Sequence, residues 1–143
     1  MSGPIHKLPG WAGALLREAP VARLGMLDDR DRPRVLPITF VATGELIWSA
    51  IDSKPKGDPS RPPARLTYLR RRPEVAVTVD HYENDWRALA WVQLLGSAVV
   101  LEVAENQGPL EALAGKYPAY RCQPPPGPLI RISVERALCW RAS

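Results

Sequence analysis

The sequence is most informative at first for what it has little of. Two cysteines, Cys122 and Cys139, make neither a disulfide framework nor a CxxC pair, so a disulfide scaffold and a dithiol redox motif are both excluded. Two histidines, His6 and His81, stand alone, and without an HxxxH or Cys/His cluster no metal centre is expected. His81 reads as a residue closing the end of a strand. Asp28, Asp29 and Asp31 crowd one short stretch, but the glycine and distal glutamate of an EF-hand are missing, and a solvated turn is the expectation. There is no GxGxxG fingerprint, no GxxxxGK phosphate loop and no GxSxG elbow, so a Rossmann site, a P-loop and a hydrolase nucleophile lack support. No apolar run reaches the ~18–20 residues of a membrane span. The first 20 residues hold Pro4, Pro9 and Pro20 and no continuous apolar stretch, which argues against a signal peptide and makes a cytoplasmic protein the expectation.

What is present fits one domain over residues 1–143. Hydrophobic residues make up 45% and charged residues 24%, the balance of a globular chain able to bury a core. The charge is localised. Residues 53–72 carry seven Lys or Arg against Asp58 alone, a net +6 within a total of +4, so the remaining chain is slightly acidic. A basic surface for nucleic acid would be expected to draw on more than one segment, which leaves a site for a small anion as the sharper reading and a solvated basic face as the plain one. Proline is abundant, at 16, and gathers in 55–63 and 118–128, where fixed φ angles and missing donors predict rigid loops rather than strands or helices.

Residues 10–19 predict a short amphipathic helix stopped by Pro20. Apolar patterning predicts strands at 21–28, 34–41 and 45–52, joined by polar turns into a meander. A helix is expected over 64–72, with Leu66 and Leu69 on one face, Arg70 to Arg72 in the last turn, and Pro73 as the stop. Val75, Val77 and Val79 alternate along a strand at 74–81. A long strand at 88–102, bulged at Gly96, a helix at 105–115 and a final strand at 129–140 complete the chain. About six strands in mostly sequential antiparallel order, with a long bent one among them, predict a mainly β protein with short helices, built as a closed or split barrel.

The run from Ile47 to Lys56 carries the chemistry that remains. A strand ends there and presents Lys54 and Lys56 across Pro55, so two ammonium groups can converge on one anion with Ser53 and backbone N–H groups as neutral donors. Three pieces in this order carry a resemblance: Ala22 to Leu27 with Arg32 to Ile38, then Asp52 to Lys56, then Arg72 to Trp86 with Ala90 to Ala98. Together they resemble the pyridoxamine phosphate oxidase-like split-barrel superfamily, and within it the actinobacterial oxidoreductases that use the deazaflavin coenzyme F-420. The Asp80-His81-Tyr82 and Asp85-Trp86 text is the most specific part. Residues 57–63 depart from the pattern, since relatives carry a basic, Thr-rich, proline-poor link there.

The resemblance implies an FMN-binding-like split barrel that is a homodimer with two cofactor sites between protomers. It implies a flavin-like ring against the strands bearing Arg34, Pro37, Trp48, Ser49 and Ala50, with the acidic tail of the cofactor meeting Ser53, Lys54, Lys56 and Arg65. Trp86, supplied by the partner subunit, is a candidate wall, as is Trp91. The implied activity is hydride transfer between F-420 and a small electrophilic acceptor, such as an activated double bond, a quinone or a nitro compound. Because the cofactor brings the reactive centre, no catalytic side chain and no metal is expected. The alternatives are flavin mononucleotide in the same fold, or a non-catalytic protein that holds a cofactor or tetrapyrrole. Neither nucleic acid nor a membrane is an expected partner.

Overall fold

The computed structural model describes residues 2–52 and 62–143. A two-residue strand, β1 (Ser2–Gly3), precedes helix α1 (Gly10–Glu18), which begins after Pro9 and ends just before Pro20, as proline at each boundary requires. Ala12 and Leu16 turn its inner face into the core. Strands β2 (Ala22–Leu27) and β3 (Pro33–Ile38) form a hairpin in which Ala22 faces Ile38 and Leu27 faces Pro33. Asp28 builds its turn by accepting from the backbone N–H of Arg30 and Arg32 at 2.9 and 3.0 Å, and these two bonds hold its carboxyl below the usual carboxylate range. Asp31 takes the left-handed φ of 59° that the turn needs, and Arg71 and Arg72 brace its carboxylate.

The chain continues through β4 (Val41–Thr43), β5 (Leu46–Ala50), α2 (Ala64–Arg71), β6 (Glu74–His81), β7 (Ala90–Leu101), α3 (Gln107–Lys116), α4 (Pro118–Cys122) and β8 (Leu129–Arg141). All pairings are antiparallel and the main path runs β3-β2-β6-β7-β8-β5-β4, with β1 on β8. The expected meander is therefore corrected: the residues read as one strand, 34–41, split into β3 and β4, which sit at opposite edges of the sheet. Only Thr39 and Phe40 separate them. Those few residues span at most about 11 Å, whereas a flat sheet of seven strands would hold its edges about 29 Å apart. The sheet must curl until its edges nearly meet, and the crossover bridges the gap. Phe40 is fully buried at that crossing, which explains why an apolar run continuous in sequence is broken in structure.

Inside the curl, Leu24, Phe40, Ile47, Val77, Leu94, Ile130 and Ile132 join α1 and α2 in one core. A second, smaller cluster lies on the other face of β5 and β8, where Leu113 of α3 and Tyr120 of α4 pack over Trp48 and Leu129. The alternation of β5 sorts the two, with Ile47 turned inward and Trp48 outward to the helices. The expected bulge in β7 is present as a register shift between Leu95 and Gly96 against β8. Only glycine fits there, because a Cβ would run into the carbonyl oxygen of Ser133. The stretch 118–128 differs from the rigid loop expected: Pro118 opens the short helix α4, since a proline at a helix start lacks only a donor that would go unused there.

Candidate functional site

Where the two sheet edges approach, the chain leaves a cleft of about 300 Å³. Pro37, Ile38 and Thr39 line it from the end of β3, Ser49 and Ala50 from the end of β5, and Val21 from the entry to β2. Arg65, in the first turn of α2, and Asp52, just past β5, supply its charged groups. The surface is mostly apolar, with a few polar groups converging on it, which is the usual make-up of a small-molecule site.

A hydrogen-bonded frame stands behind this lining. Ser49 Oγ donates to the carbonyl of Thr39 at 2.6 Å and so ties β5 to the crossover. Tyr120, reaching in from α4, donates to Asp52 Oδ2 at 2.6 Å and lies 2.7 Å from Thr39 Oγ1. Tyr117, one helical turn earlier, accepts from the backbone N–H of Phe40 at 3.0 Å and lies within reach of the carbonyls of Pro20 and Phe40. The two rings tilt against each other with centroids 5.4 Å apart.

Burial pushes the Tyr120 phenol up to about 12, with the Asp52 hydrogen bond acting in the same direction, so this hydroxyl remains protonated at neutral pH. Burial likewise lowers the Arg65 guanidinium, and the nearby Asp52 carboxylate and Tyr120 oppose that shift. Beside the frame, Lys116 lies 3.7 Å above the Phe40 ring, and burial pulls its ammonium down to about 8.

Of the residues singled out from sequence, Pro37, Ser49, Ala50 and Arg65 meet in this cleft. Ser53, Lys54 and Lys56 lie outside the described residues. Arg34 points elsewhere, at 3.8 Å from Asp28 in the hairpin turn. Trp48 is buried in the second cluster, with its indole N–H donating to Thr43 Oγ1. Trp86 sits in a short 3-10 turn between β6 and β7, is 70% exposed and does not line the cleft. Trp91 borders a separate shallow groove with Arg23 and Asp80. Thr39, Asp52, Tyr117 and Tyr120 were not foreseen. The Tyr-Pro-Ala-Tyr spacing, which puts two phenols on one side of a turn beginning at proline, was the signal available for the last two. Among the described residues no cluster of three or more metal-ligating side chains occurs.

No protein-family model matches the sequence, and no curated relative matches it. Solved structures do. A FAD-binding protein from Mesorhizobium loti superposes with a TM-score of 0.71 at 19% identity, covering 100% of this chain and 98% of that one. An F-420 reductase superposes at 0.65 with 17% identity, over 93% and 98% of the two chains. A heme-binding protein from Mycobacterium smegmatis gives 0.70 at 17% identity, over 93% of this chain and 55% of that one. The fold is a mainly β split barrel. The names of these three neighbours refer to three different cofactors, so the shared fold does not by itself name a cofactor for this chain.

Proposed function

We propose that this split barrel binds a flavin-type cofactor in the cleft between β3, β5 and α2, and that the cofactor is the deazaflavin F-420, serving an oxidoreductase that reduces a small electrophilic acceptor. The observation that carries this reading is the half-buried guanidinium of Arg65 at an apolar slot walled by Pro37, Ile38, Ser49 and Ala50. The fit is chemical. Small side chains at 49 and 50 leave space for a flat ring, and a partly desolvated Arg is suited to a phosphate or carboxylate. Lys54 and Lys56 follow Asp52 closely in sequence and would add to the same positive field.

A bound reduced deazaflavin would supply a hydride, that is two electrons with one proton, and the acceptor would draw its second proton from solvent. The protein's own part is limited to binding and environment. Arg65 holds an anionic group in place. Pro37, Ile38 and Val21 exclude water from one side of the slot. Thr39 and Ser49 present hydroxyls, and the Tyr120–Asp52 bond keeps the polar end of the cleft fixed. A cleft of about 300 Å³ lies at the low end of the ~300–1,000 Å³ range for ligand pockets, which supports a homodimer in which a second copy completes the walls. Sizing the protein in solution by light scattering tests that point.

The function is tested by titrating the protein with F-420 and with flavin mononucleotide, followed through each chromophore's own absorption. F-420 binding is expected, weakened about tenfold by Arg65→Ala and further by Lys54→Ala and Lys56→Ala, the scale of one lost charge-assisted hydrogen bond each. A protein that takes only flavin mononucleotide shifts the assignment to that cofactor. Affinity indifferent to all three substitutions, or no binding at all, removes the site.

A further inference from the structure

Four groups at the cleft form an ordered chain. Tyr120 has one hydroxyl proton, and it goes to Asp52 Oδ2 at 2.6 Å. The 2.7 Å bond between Thr39 Oγ1 and the Tyr120 oxygen must then be donated by Thr39. Thr39 therefore keeps only acceptor capacity for anything that enters the cleft. Asp52 shares the cleft with Arg65 and is close enough for its charge to act on the guanidinium. A carboxylate beside a partly desolvated arginine is the natural partner for it, and a full pairing would cancel the positive charge that an incoming anion needs.

We propose that Tyr120 is a positioning residue that holds the Asp52 carboxylate on the α4 side of the cleft, so that Arg65 stays available to an anionic ligand. This rests on the reading that the cleft takes a cofactor with an anionic tail. Tyr120 itself is buried, 5% exposed, and is not part of the lining, so its influence on the ligand passes through Asp52 and Thr39. Loss of the hydroxyl removes the Tyr120 hold on Asp52 Oδ2 and lets the carboxylate shift toward Arg65. Loss of the Asp52 charge makes the hydroxyl dispensable. The two substitutions are therefore coupled, with the second rescuing the first.

The test compares wild type, Tyr120→Phe, Asp52→Asn and the double variant, each first checked for an unchanged thermal transition. Four probes are titrated: F-420, flavin mononucleotide, riboflavin (the same ring without phosphate) and inorganic pyrophosphate. Tyr120→Phe is expected to weaken the anionic probes about tenfold, the value of one hydrogen bond to a charged group, and to leave riboflavin unchanged. Asp52→Asn is expected to bind anions at least as tightly as wild type, and the double variant to match it. A double variant as weak as Tyr120→Phe, or an equal loss for riboflavin, overturns the inference, because the phenol then acts through the shape of the cleft. Flavins bound with one affinity by all four proteins overturn it while leaving the proposed function standing. No flavin binding, with pyrophosphate still following the predicted pattern, overturns the function and keeps the inference. No binding of any probe overturns both.

Discussion

The centre of the sheet and its two edges are made of similar strands but do different work. Along β6, β7 and β8 the ladder is continuous. Glu74 to His81 pairs with Ser97 to Ala90 without a break, and β7 and β8 pair over twelve residues with one bulge. The backbone there is paired strand to strand, and what opens beside it is a shallow groove bordered by Arg23, Asp80 and Trp91. The edge hairpins, β2–β3 and β4–β5, end where the sheet curls back on itself, and the two residues between β3 and β4 carry the chain across. At that crossing the ladder is replaced by side chains. Tyr117 satisfies the Phe40 backbone, Ser49 takes the Thr39 carbonyl, and Tyr120 holds Asp52. The cleft thus arises where strand pairing runs out and side-chain hydrogen bonds take over.

If that contrast is right, a defect in the central ladder costs stability and a defect at the crossing costs stability and binding together. The largest effect is expected for Gly96→Ala. The new Cβ must displace backbone of β8 at the Ser133 carbonyl, and a loss of about 4 kcal/mol or more follows, measured by denaturant unfolding. A variant that unfolds like wild type would show that the bulge is soft and that the centre is less rigid than the edges.

Tyr117→Phe comes next. It strips the partner from the buried N–H of Phe40 and is expected to cost about 1–3 kcal/mol in the same measurement. Because Phe40 adjoins Thr39, cofactor affinity is expected to fall as well, whereas Gly96→Ala in any folded fraction leaves it intact. Equal binding losses from both would erase the distinction between centre and edge.

The smallest effect belongs to Lys116, which lies half-buried over the Phe40 ring at the same crossing. Its ammonium titrates near 8 in the fold against 10.5 for the free side chain, so between those values the unfolded chain carries a proton that the native one lacks. Stability is therefore expected to rise with pH across that window in wild type. Lys116→Met is expected to flatten the rise and to be the more stable protein at neutral pH. A wild-type melting temperature that does not change from pH 8 to pH 10.5 would refute this.

Much of the architecture was legible in the residue pattern. Period-two valines at 75, 77 and 79 mark β6, prolines at 9, 20 and 73 bracket two helices, and a lone glycine at 96 within an apolar run marks the bulge. These signals are local, because each depends on what one short stretch of backbone can adopt. The site was legible only in part. Pro37, Ser49, Ala50 and Arg65 line the candidate cleft, and they were named because the family resemblance pointed to these strands and to the basic helix. Trp48 and Trp86 show the limit. One, in the middle of β5, is sealed under α3 and α4, and the other, in the 3-10 turn between β6 and β7, projects into solvent, and no pattern within either segment separates the two fates.

The sequence by itself determined most of the strands and helices, the proline stops of α1 and α2, and that positive charge gathers in one segment. Only the tertiary structure decided that Thr39 and Phe40 cross between opposite edges of one sheet, and that Tyr120 reaches Asp52 across 68 positions of chain. The reason is physical. Local backbone preference is encoded residue by residue, whereas the curl of the sheet is a collective outcome of strand twist, core volume and edge pairing, and the cleft exists only once that curl brings its two edges together.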